Sequence, residues 1–385
     1  METMIFPEQD EDWQFLLTFL PPGWQGKARE LGAVLRYRRF ENPEVLLRTL
    51  LIHLATGCSL RETAARAKQG HITQVSDVAL LKRLKAAGDW LRWMAQGVMQ
   101  TWVSKQPKAI FGEQLRIRII DGSTIQEPGS TGTTWRLHYS ILLPTLQCNE
   151  VHVTSPKIGE SFQRYRVQPG DLFLGDRGYA RREAILHVLQ GGGQVLVRTN
   201  LINLPLVAES GVPLPLLEHL RTLTGTELGD WDVYVPHANQ LIPGRICALK
   251  KHKIATEKAI RKAMEGSRKQ GYRPRPETLE AAAYTMVFTT LKRDEFKPAK
   301  ILEMYRGRWQ VELAFKRLKS LLGLGHLKKT DEDVAKAWLQ GKLLVAFLIE
   351  ALIASAERFF PWGYPLSTET PPVSLERNLA YGSSG

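Results

Sequence analysis

Residues 115–198 constrain the fold of this chain most strongly, because short β-branched runs there alternate with turn residues and one helix. The run LRIRII at 115–120 alternates polar and apolar residues and is rich in isoleucine, which predicts a strand. The predicted elements that follow are strands at 136–143, 149–154 and 172–174, a helix at 181–190 and a strand at 195–198. Three consecutive strands, then a strand, a helix and another strand predict an α/β domain around one mixed sheet.

Two aspartates follow predicted strands in this region. Asp121 comes directly after the first strand and Asp176 follows the fourth, each with a glycine one or two residues later. In an α/β sheet, ligand groups project from the carboxyl ends of the strands, so neighbouring strands would bring both carboxylates together. Asp-Gly is also a common turn dipeptide, so each aspartate alone is a weak signal.

A third carboxylate lies in the stretch 305–322, YRGRWQVELAFKRLKSLL, which predicts a single helix with one glycine near its start. At about 100° per residue, four polar side chains share an arc of about 60°. They are Tyr305, Arg308, Glu312 and Lys319. Lys316 lies near this stripe, and Trp309 falls among the residues left for packing. Charged helix faces are commonly solvated, so the stripe gains meaning only beside the two aspartates.

The carboxylates of Asp121, Asp176 and Glu312 predict a metal site of hard oxygen ligands without a histidine or cysteine cluster nearby. Such a ligand set favours Mg²⁺ or Mn²⁺ over zinc. Two ions about 4 Å apart would clamp the attacking and leaving oxygens of a phosphodiester. The residues predicted to hold DNA phosphates are Tyr305, Arg308, Lys316, Lys319 and Arg177. Arg177, next to Asp176, either contacts phosphate or only pairs with a carboxylate.

Other polar residues near these motifs have plainer interpretations. His138 and His152 lie in predicted strands, where packing or hydrogen bonding is the commoner role. Glu160, in the sequence Ile-Gly-Glu-Ser, is either a surface acid or an extra acid near the site. The three cysteines are widely separated without a CxxC pair, which supports neither a disulfide framework nor a zinc ribbon.

The formal net charge of +13 predicts a polyanionic partner, most simply nucleic acid. Residues 250–275 hold ten lysines and arginines against two glutamates, which fits either a solvated face or a contact with the DNA backbone. Residues 59–87 predict two helices joined by a short connection, the second of them basic. That pattern fits a helix-turn-helix DNA reader or a plain helical bundle.

Taken together, these motifs resemble those of bacterial insertion-sequence transposases with a DDE active site. The sequence IIDGST around Asp121 resembles the first acidic motif of the family, and LGDRGYA around Asp176 resembles the second. The spacing Tyr-x2-Arg-x3-Glu-x6-Lys at 305–319 matches the signature of one branch at every position. The interval between Asp176 and Glu312 leaves room for the β-rich insertion that this branch places before the glutamate.

The resemblance implies an α/β, ribonuclease H-like catalytic core with Asp121, Asp176 and Glu312 as its catalytic residues and metal ligands. It also implies Mg²⁺-dependent (or Mn²⁺-dependent) chemistry with two ions. The substrate would be double-stranded DNA, cleaved at the terminal inverted repeats of an insertion sequence and transferred into target DNA by a cut-and-paste route. The expected assembly is a homodimer in the synaptic complex.

Two other functions fit the same residues. One is a ribonuclease H-like nuclease that only hydrolyses its substrate. The other is a catalytically inactive DNA-binding protein derived from a transposase, although all three acidic positions are intact. Joining of a DNA end to a target distinguishes a transposase from either of them.

The expected domain organisation follows from these assignments. The predicted segments are a helical, candidate DNA-binding domain at 1–105, the first part of the core at 106–200, a β-rich and basic insertion at 201–283, the second part of the core at 284–330, a helical segment at 331–360 and a loosely ordered tail at 361–385. The N-terminus lacks a signal-peptide core, and the apolar run at 343–354 is too short for a membrane span and contains Glu350. We therefore expect a bacterial cytoplasmic protein, without a membrane partner, that associates with the nucleoid when it binds DNA.

Overall fold

The structure, a computed structural model, describes residues 7–34, 40–103, 115–126, 134–143, 145–321, 323 and 331–356. Within these residues, one eight-stranded sheet lies between two layers of helices. Its strands are β1 Arg116–Ile125, β2 Trp135–Leu142, β3 Cys148–Thr154, β4 Asp171–Gly175, β5 Gln194–Arg198, β6 Leu228–His237, β7 Gln240–Lys250 and β8 Tyr284–Thr289. The predicted α/β class and mixed sheet are confirmed, while the tail predicted at 361–385 lies outside the described residues.

The order of the strands across the sheet is β3-β2-β1-β4-β5-β8-β7-β6. β1, β2 and β3 form an antiparallel meander, and β4 and β5 run parallel to β1 on its other side. β8 pairs antiparallel with β5, and β7 and β6 extend the sheet beyond β8. The strands predicted within 201–283 therefore continue the sheet that β1 begins.

Side-chain caps explain where several helices begin. The helices are α1 Pro7–Leu17, α2 Trp24–Glu30, α3 Pro43–Thr56, α4 Leu60–Gln69, α5 Asp77–Ala86, α6 Gly88–Val103, α7 Arg182–Gln190, α8 Leu216–Arg221, α9 Lys253–Lys269, α10 Pro276–Ala281, α11 Pro298–Arg306, α12 Trp309–Leu321 and α13 Glu332–Ala356. The Ser59 side chain accepts a hydrogen bond from the backbone of Glu62 at 3.1 Å, so α4 begins where its sequence predicts. α3 ends at Thr56 and is followed by its C-cap Gly57, whose φ of 71° lies in the left-handed region.

The apolar run at 343–354 belongs to α13, which packs along α6 and also contacts α3 and α5. By length and composition alone this helix could cross a membrane, but 67% of its most apolar window is buried inside the protein. At Gly341 an added Cβ would lie 2.4 Å from Leu54 Cδ1, so α13 and α3 approach closely there. α13 thus has the contacts of a core helix.

The sheet separates two hydrophobic cores. Ile119 of β1 belongs to the core shared with α6, α12 and α13, whereas Ile120 belongs to the core that contains α7. Because side chains alternate along a strand, Asp121 lies on the same face as Ile119. Val311 and Phe315 of α12 pack in that first core, so Asp121 and α12 lie on the same side of the sheet.

A buried ionic network joins β1 to β4 and β3. The Arg118 side chain is 3% exposed and donates to Asp171 Oδ2 at 3.2 Å and to Glu150 Oε2 at 2.6 Å. Asp171 is fully buried, and it also accepts from Arg116 Nε at 2.6 Å and from the backbone of Gln168 at 2.9 Å. Arg116 and Asp171 lie opposite each other in the ladder, so the network reinforces the register between β1 and β4.

Asp121 does not end its strand, contrary to the prediction from the sequence. β1 continues to Ile125 because its antiparallel pairing with β2 extends to Ile125 opposite Trp135. The parallel pairing with β4 is shorter and ends at Ile119 opposite Leu174. The alternation of residues in LRIRII indicates a strand, but it does not indicate which of the two neighbouring strands pairs with it over the longer stretch.

The stretch 305–322 is not one helix, which also corrects the sequence prediction. α11 ends at Arg306 and α12 begins at Trp309. The backbone of Gly307 donates to Met304 at 3.0 Å, a bond of the tighter 3₁₀ type, and glycine is a poor helix former. Trp309, which was expected to pack, is 50% exposed.

Candidate active site

The two aspartates lie on neighbouring parallel strands. The last pair of the β1–β4 ladder is Ile119 opposite Leu174. Asp121 and Asp176 each lie two residues beyond that pair, where β4 has ended and β1 continues. The negative charge of Asp176 contributes to a raised pKa of Asp121, as expected for carboxylates on adjacent strands.

Asp121 is held in a partly buried position on the α12 side of the sheet. Its side chain is 17% exposed, and Oδ1 accepts a hydrogen bond from the backbone of Gly122 at 2.8 Å. Burial raises its pKa to about 7, against the Gly122 hydrogen bond, and the charge of Asp176 adds to the rise. A carboxyl group in this environment gains most from a cation, because a cation stabilises its charged form.

Asp176 begins a short turn directly after β4. Its Oδ1 accepts a hydrogen bond from the backbone of Gly178 at 2.7 Å, so the side chain caps the 3₁₀ turn Arg177–Tyr179. Tyr179 is fully buried beneath this turn, where its ring stacks on Phe162. The motif LGDRGYA therefore anchors Asp176 by a cap on one side and by aromatic packing on the other.

Glu312 reaches the same cleft from the first turn of α12. An open cleft of about 660 Å³ is lined by Asp121, Gly122, Ser123, Glu312, Phe315, Lys316 and Lys319. Arg308 connects the two acids, since its Nη2 lies 2.6 Å from Glu312 Oε1 and its Nη1 lies 3.8 Å from Asp121 Oδ2. The Glu312 side chain is 56% exposed, so it can change its direction without disturbing the core.

The carboxylates provide the type of ligand that a divalent cation requires. Carboxylate oxygens are hard donors that suit Mg²⁺ and Mn²⁺. Within the residues that the structure describes, no three acids, histidines or cysteines are already close enough to hold one ion. A cation held by all three carboxylates would require Glu312 to leave Arg308.

The residues predicted to hold DNA divide between two places. Lys316 and Lys319 are exposed on α12 and line the cleft with Asp121. Tyr305 lies in the last turn of α11, where burial raises the pKa of its hydroxyl to about 12 although the charge of Arg308 opposes the rise. Arg177 is exposed and lines a separate cavity of about 720 Å³.

One cation of that cavity, Arg198, was not identified from the sequence, whereas Lys251 belongs to the basic segment 250–275. Burial lowers the pKa of Arg198, at the end of β5, and lowers that of Lys251 to about 8, with the charge of Arg177 adding to both shifts. Arg177, which lines this cavity, directly follows Asp176 in the chain, so the cavity borders the acidic site. The position of Arg198 at the end of a strand in the same sheet was the available sequence signal.

The remaining candidates have distinct surroundings. His138 is buried, its Nε2 lies 2.9 Å from Thr154 Oγ1, and burial lowers its pKa to about 3. His152 Nε2 lies 3.0 Å from Glu150 Oε1. Glu160, by contrast, lies beside both acidic motifs, and burial together with the charge of Asp176 raises its pKa.

Comparison with known proteins identifies the family. The family model described as Transposase DDE domain matches residues 112–348. The chain is 32% identical to the transposase InsL of insertion sequence element IS186A of Escherichia coli, over 91% of this chain and 96% of that protein. It is also 32% identical to the transposase of insertion sequence element IS421 of Escherichia coli, with the same coverage. The chain belongs to the DDE transposase family.

This membership confirms the bacterial insertion-sequence transposase that the motifs resemble. The transposase is thus an enzyme of DNA cleavage and strand transfer, and its family uses divalent metal ions. A cryo-EM structure of the piggyBac transposase synaptic complex with hairpin DNA aligns at a TM-score of 0.43 and 8% identity, covering 89% of this chain and 74% of that one. That similarity is too distant to carry a conclusion about fold.

Without divalent cations, the contribution of Asp121 to the free energy of unfolding of the transposase is expected to fall as the pH rises towards 7. The pKa of Asp121 is about 7 in the folded protein against an ordinary value of 3.8, so the folded state holds this proton more tightly than the unfolded state. As the pH rises from about 3.8 to about 7, this group therefore lowers the free energy of unfolding by up to about 1.4 kcal/mol per pH unit. Urea unfolding midpoints measured in EDTA across this range test the expectation, and Asp121→Asn should flatten the profile. A variant profile parallel to that of the parent would contradict it.

Proposed function

We propose that Asp121, Asp176 and Glu312 are the catalytic carboxylates of this transposase and together hold two divalent cations, Mg²⁺ or Mn²⁺. The observation that carries this proposal is the adjacency of β1 and β4, which brings Asp121 next to Asp176 on parallel strands. The cleft that Asp121 shares with Glu312 supports the third position. The bound ions would supply Lewis acidity and an activated water or 3′-hydroxyl.

The protein's own groups would position the DNA strand for this reaction. Lys316 and Lys319 project from α12 beside the acids, so they suit the phosphates that flank the scissile bond. Arg308 offers a planar guanidinium that can hold two phosphate oxygens at once. Tyr305, adjacent to Arg308, would orient it, and Arg177 would contact the strand on the side of the larger cavity.

The catalytic core is proposed to be ribonuclease H-like, interrupted by an insertion at 201–283. The strand order β3-β2-β1-β4-β5 supports the core assignment. In it β1, β4 and β5 run parallel to one another, and β2 runs antiparallel to both β1 and β3. The proposed insertion contributes β6, β7 and α9, and β8 returns the chain to β5. The proposed boundaries are those predicted from the sequence.

The helix-turn-helix hypothesis for the N-terminal helices receives little support from the contacts of α5. Lys85 pairs with Asp331 at 3.1 Å and with Asp333 at 3.0 Å, at the start of α13. Arg83 donates to the backbone oxygen of Ala33 at 3.3 Å. Because two of the three cations of α5 already bind other groups of the protein, we propose that the basic segment 250–275 is the stronger DNA contact.

The substrate is proposed to be the pair of terminal inverted repeats of an insertion sequence, with cut-and-paste transfer by a synaptic homodimer in the bacterial cytoplasm. The DNA that flanks the reading frame supplies the sequence of those ends. Incubation of the protein with such an end, a target plasmid and Mg²⁺ should give a nicked 3′ end and then a joined product. Cleavage without joining would indicate a nuclease, and binding without either would indicate an inactive DNA-binding protein.

Neutralising exposed cations of α9 is expected to weaken DNA binding at low salt. Lys258, Lys262 and Lys269 are exposed on this helix. If all three contact phosphates, the triple change to glutamine should lower the slope of log K against log salt by about 2.7. Fluorescence anisotropy with duplex DNA across a salt series measures this slope.

The matched control neutralises three lysines that each pair with an acid on the same helix. These are Lys27 with Glu30, Lys300 with Glu303 and Lys336 with Glu332. Their replacement by glutamine removes the same charge but should leave the slope nearly unchanged. Equal slopes for the two triple variants would show that α9 is only a solvated face.

A further inference from the structure

Both acidic motifs contain a glycine that faces the same side chain. An ideal Cβ built on Gly122 would lie 2.5 Å from Glu160 Oε1, and one built on Gly178 would lie 2.9 Å from Glu160 Oε2. Contacts shorter than 3.0 Å are essentially never made by real Cβ atoms. The Glu160 carboxylate therefore occupies space that any side chain at either glycine would take.

This placement brings Glu160 next to Asp176. The point where a Gly178 Cβ would stand is 2.9 Å from Glu160 Oε2 and 3.1 Å from Asp176 Oδ1. Two carboxylates thus flank one small gap at the end of β4. Glu160 reaches this gap from a loop, and the nearby Phe162 of that loop packs in the core that contains α7. Glu312 approaches from α12, which packs in the core on the other face of the sheet.

The negative charge of Glu160 is not balanced at close range. Among the described residues, no group donates a hydrogen bond to its carboxylate, and Arg136 and Arg181 act on it only over longer distances. Arg136 instead donates to the backbone oxygen of Ile158, and Arg181 to that of Gly178. Neighbouring carboxylates repel each other, so this arrangement is stabilised when a cation enters the gap.

We propose that Glu160 is a fourth carboxylate of the cation site, acting together with Asp176, and that Gly122 and Gly178 are glycines because a side chain would displace it. This inference rests on the proposed function, in which Asp121 and Asp176 hold the ions. It gives the glycines of IIDGST and LGDRGYA a role in cation binding, in addition to the turn that each dipeptide suggests.

The test measures Mn²⁺ binding to the full chain without DNA. The concentration of free Mn²⁺ is read from its electron paramagnetic resonance signal, at a pH above 7. Glu160→Gln is nearly isosteric and should weaken Mn²⁺ binding about 10–100-fold. Gly122→Ala keeps every charge, and the three atoms nearest to its Cβ would all belong to Glu160, so it should displace the Glu160 carboxylate and weaken binding in the same direction. Glu209→Gln, which removes an exposed acid elsewhere, should bind Mn²⁺ like the parent.

The outcomes separate this inference from the function on which it rests. If Asp176→Asn weakens Mn²⁺ binding while Glu160→Gln and Gly122→Ala bind like the parent, Glu160 has no part in the site and the inference is overturned. If Asp121→Asn and Asp176→Asn also bind like the parent, the proposed metal ligands themselves are wrong. Thermal melting in EDTA checks folding, and a Glu160→Gln variant that melts like the parent yet binds Mn²⁺ weakly supports the inference.

Discussion

Replacing Asp121 by asparagine is expected to abolish strand cleavage while making the cation-free protein more stable. The loss of a cation ligand removes several kcal/mol of transition-state stabilisation, which corresponds to a rate decrease on the order of a thousandfold or more. Stability should rise above pH 7, because the variant lacks a buried charge that the neighbouring Asp176 opposes. The two effects have opposite signs, so loss of activity in this variant cannot be explained by unfolding.

The measurements are single-turnover cleavage of a labelled element end in Mg²⁺ and thermal melting in EDTA. Asp294→Asn is a suitable control, since Asp294 is exposed in the turn before α11 and should change neither result. Asp176→Asn and Glu312→Gln should lower cleavage to a similar extent. Cleavage by Asp121→Asn within tenfold of the parent would refute its assignment as a cation ligand.

Replacing Asp171 by alanine is expected to destabilise the fold by about 3–5 kcal/mol, because it leaves the buried Arg118 without one of its partners. Asp171 also holds Arg116 and the backbone of Gln168, so its loss weakens the start of the β1–β4 ladder. That ladder aligns Asp121 with Asp176, and cleavage should fall even at temperatures where the variant is still folded. The urea unfolding midpoint and the cleavage rate measure the two effects.

Two controls define the cause of this loss. The double variant Arg118→Leu with Asp171→Leu replaces the pair by apolar residues and should recover part of the lost stability, because it leaves less uncompensated charge. The exposed pair of Arg221 and Glu280 joins α8 to α10, and its removal should hardly move the midpoint. If Asp171→Ala unfolds at the parent midpoint, the buried network does not stabilise the sheet.

Local patterns in the sequence predict most of the fold. Alternation of β-branched residues predicts the strands of the core, and Ser59 and Gly57 predict helix ends, because these signals depend on neighbours in the chain. The continuation of β1 past Asp121 was missed because it depends on pairing with β2. The break at Gly307 was missed because a polar stripe of four residues outweighed one glycine.

The acidic motifs predict the candidate site in outline, but not its details. Adjacency of Asp121 and Asp176 follows from strand order, which the sequence suggests through the succession of elements. The approach of Glu160 and the cavity beside Arg198 depend on loops that converge from distant parts of the chain. Periodicity gives no information on such contacts, so only the folded structure provides them.

The contact of Arg308 with both Glu312 and Asp121 has a thermodynamic consequence. In the cation-free protein this guanidinium serves as an internal counter-ion, and ions that take over the acids would release it to DNA phosphate. Ion binding and DNA binding then favour each other, and linkage requires each to raise the affinity of the other by the same factor. A transposase built in this way would bind its metal ions more tightly when an element end is already present.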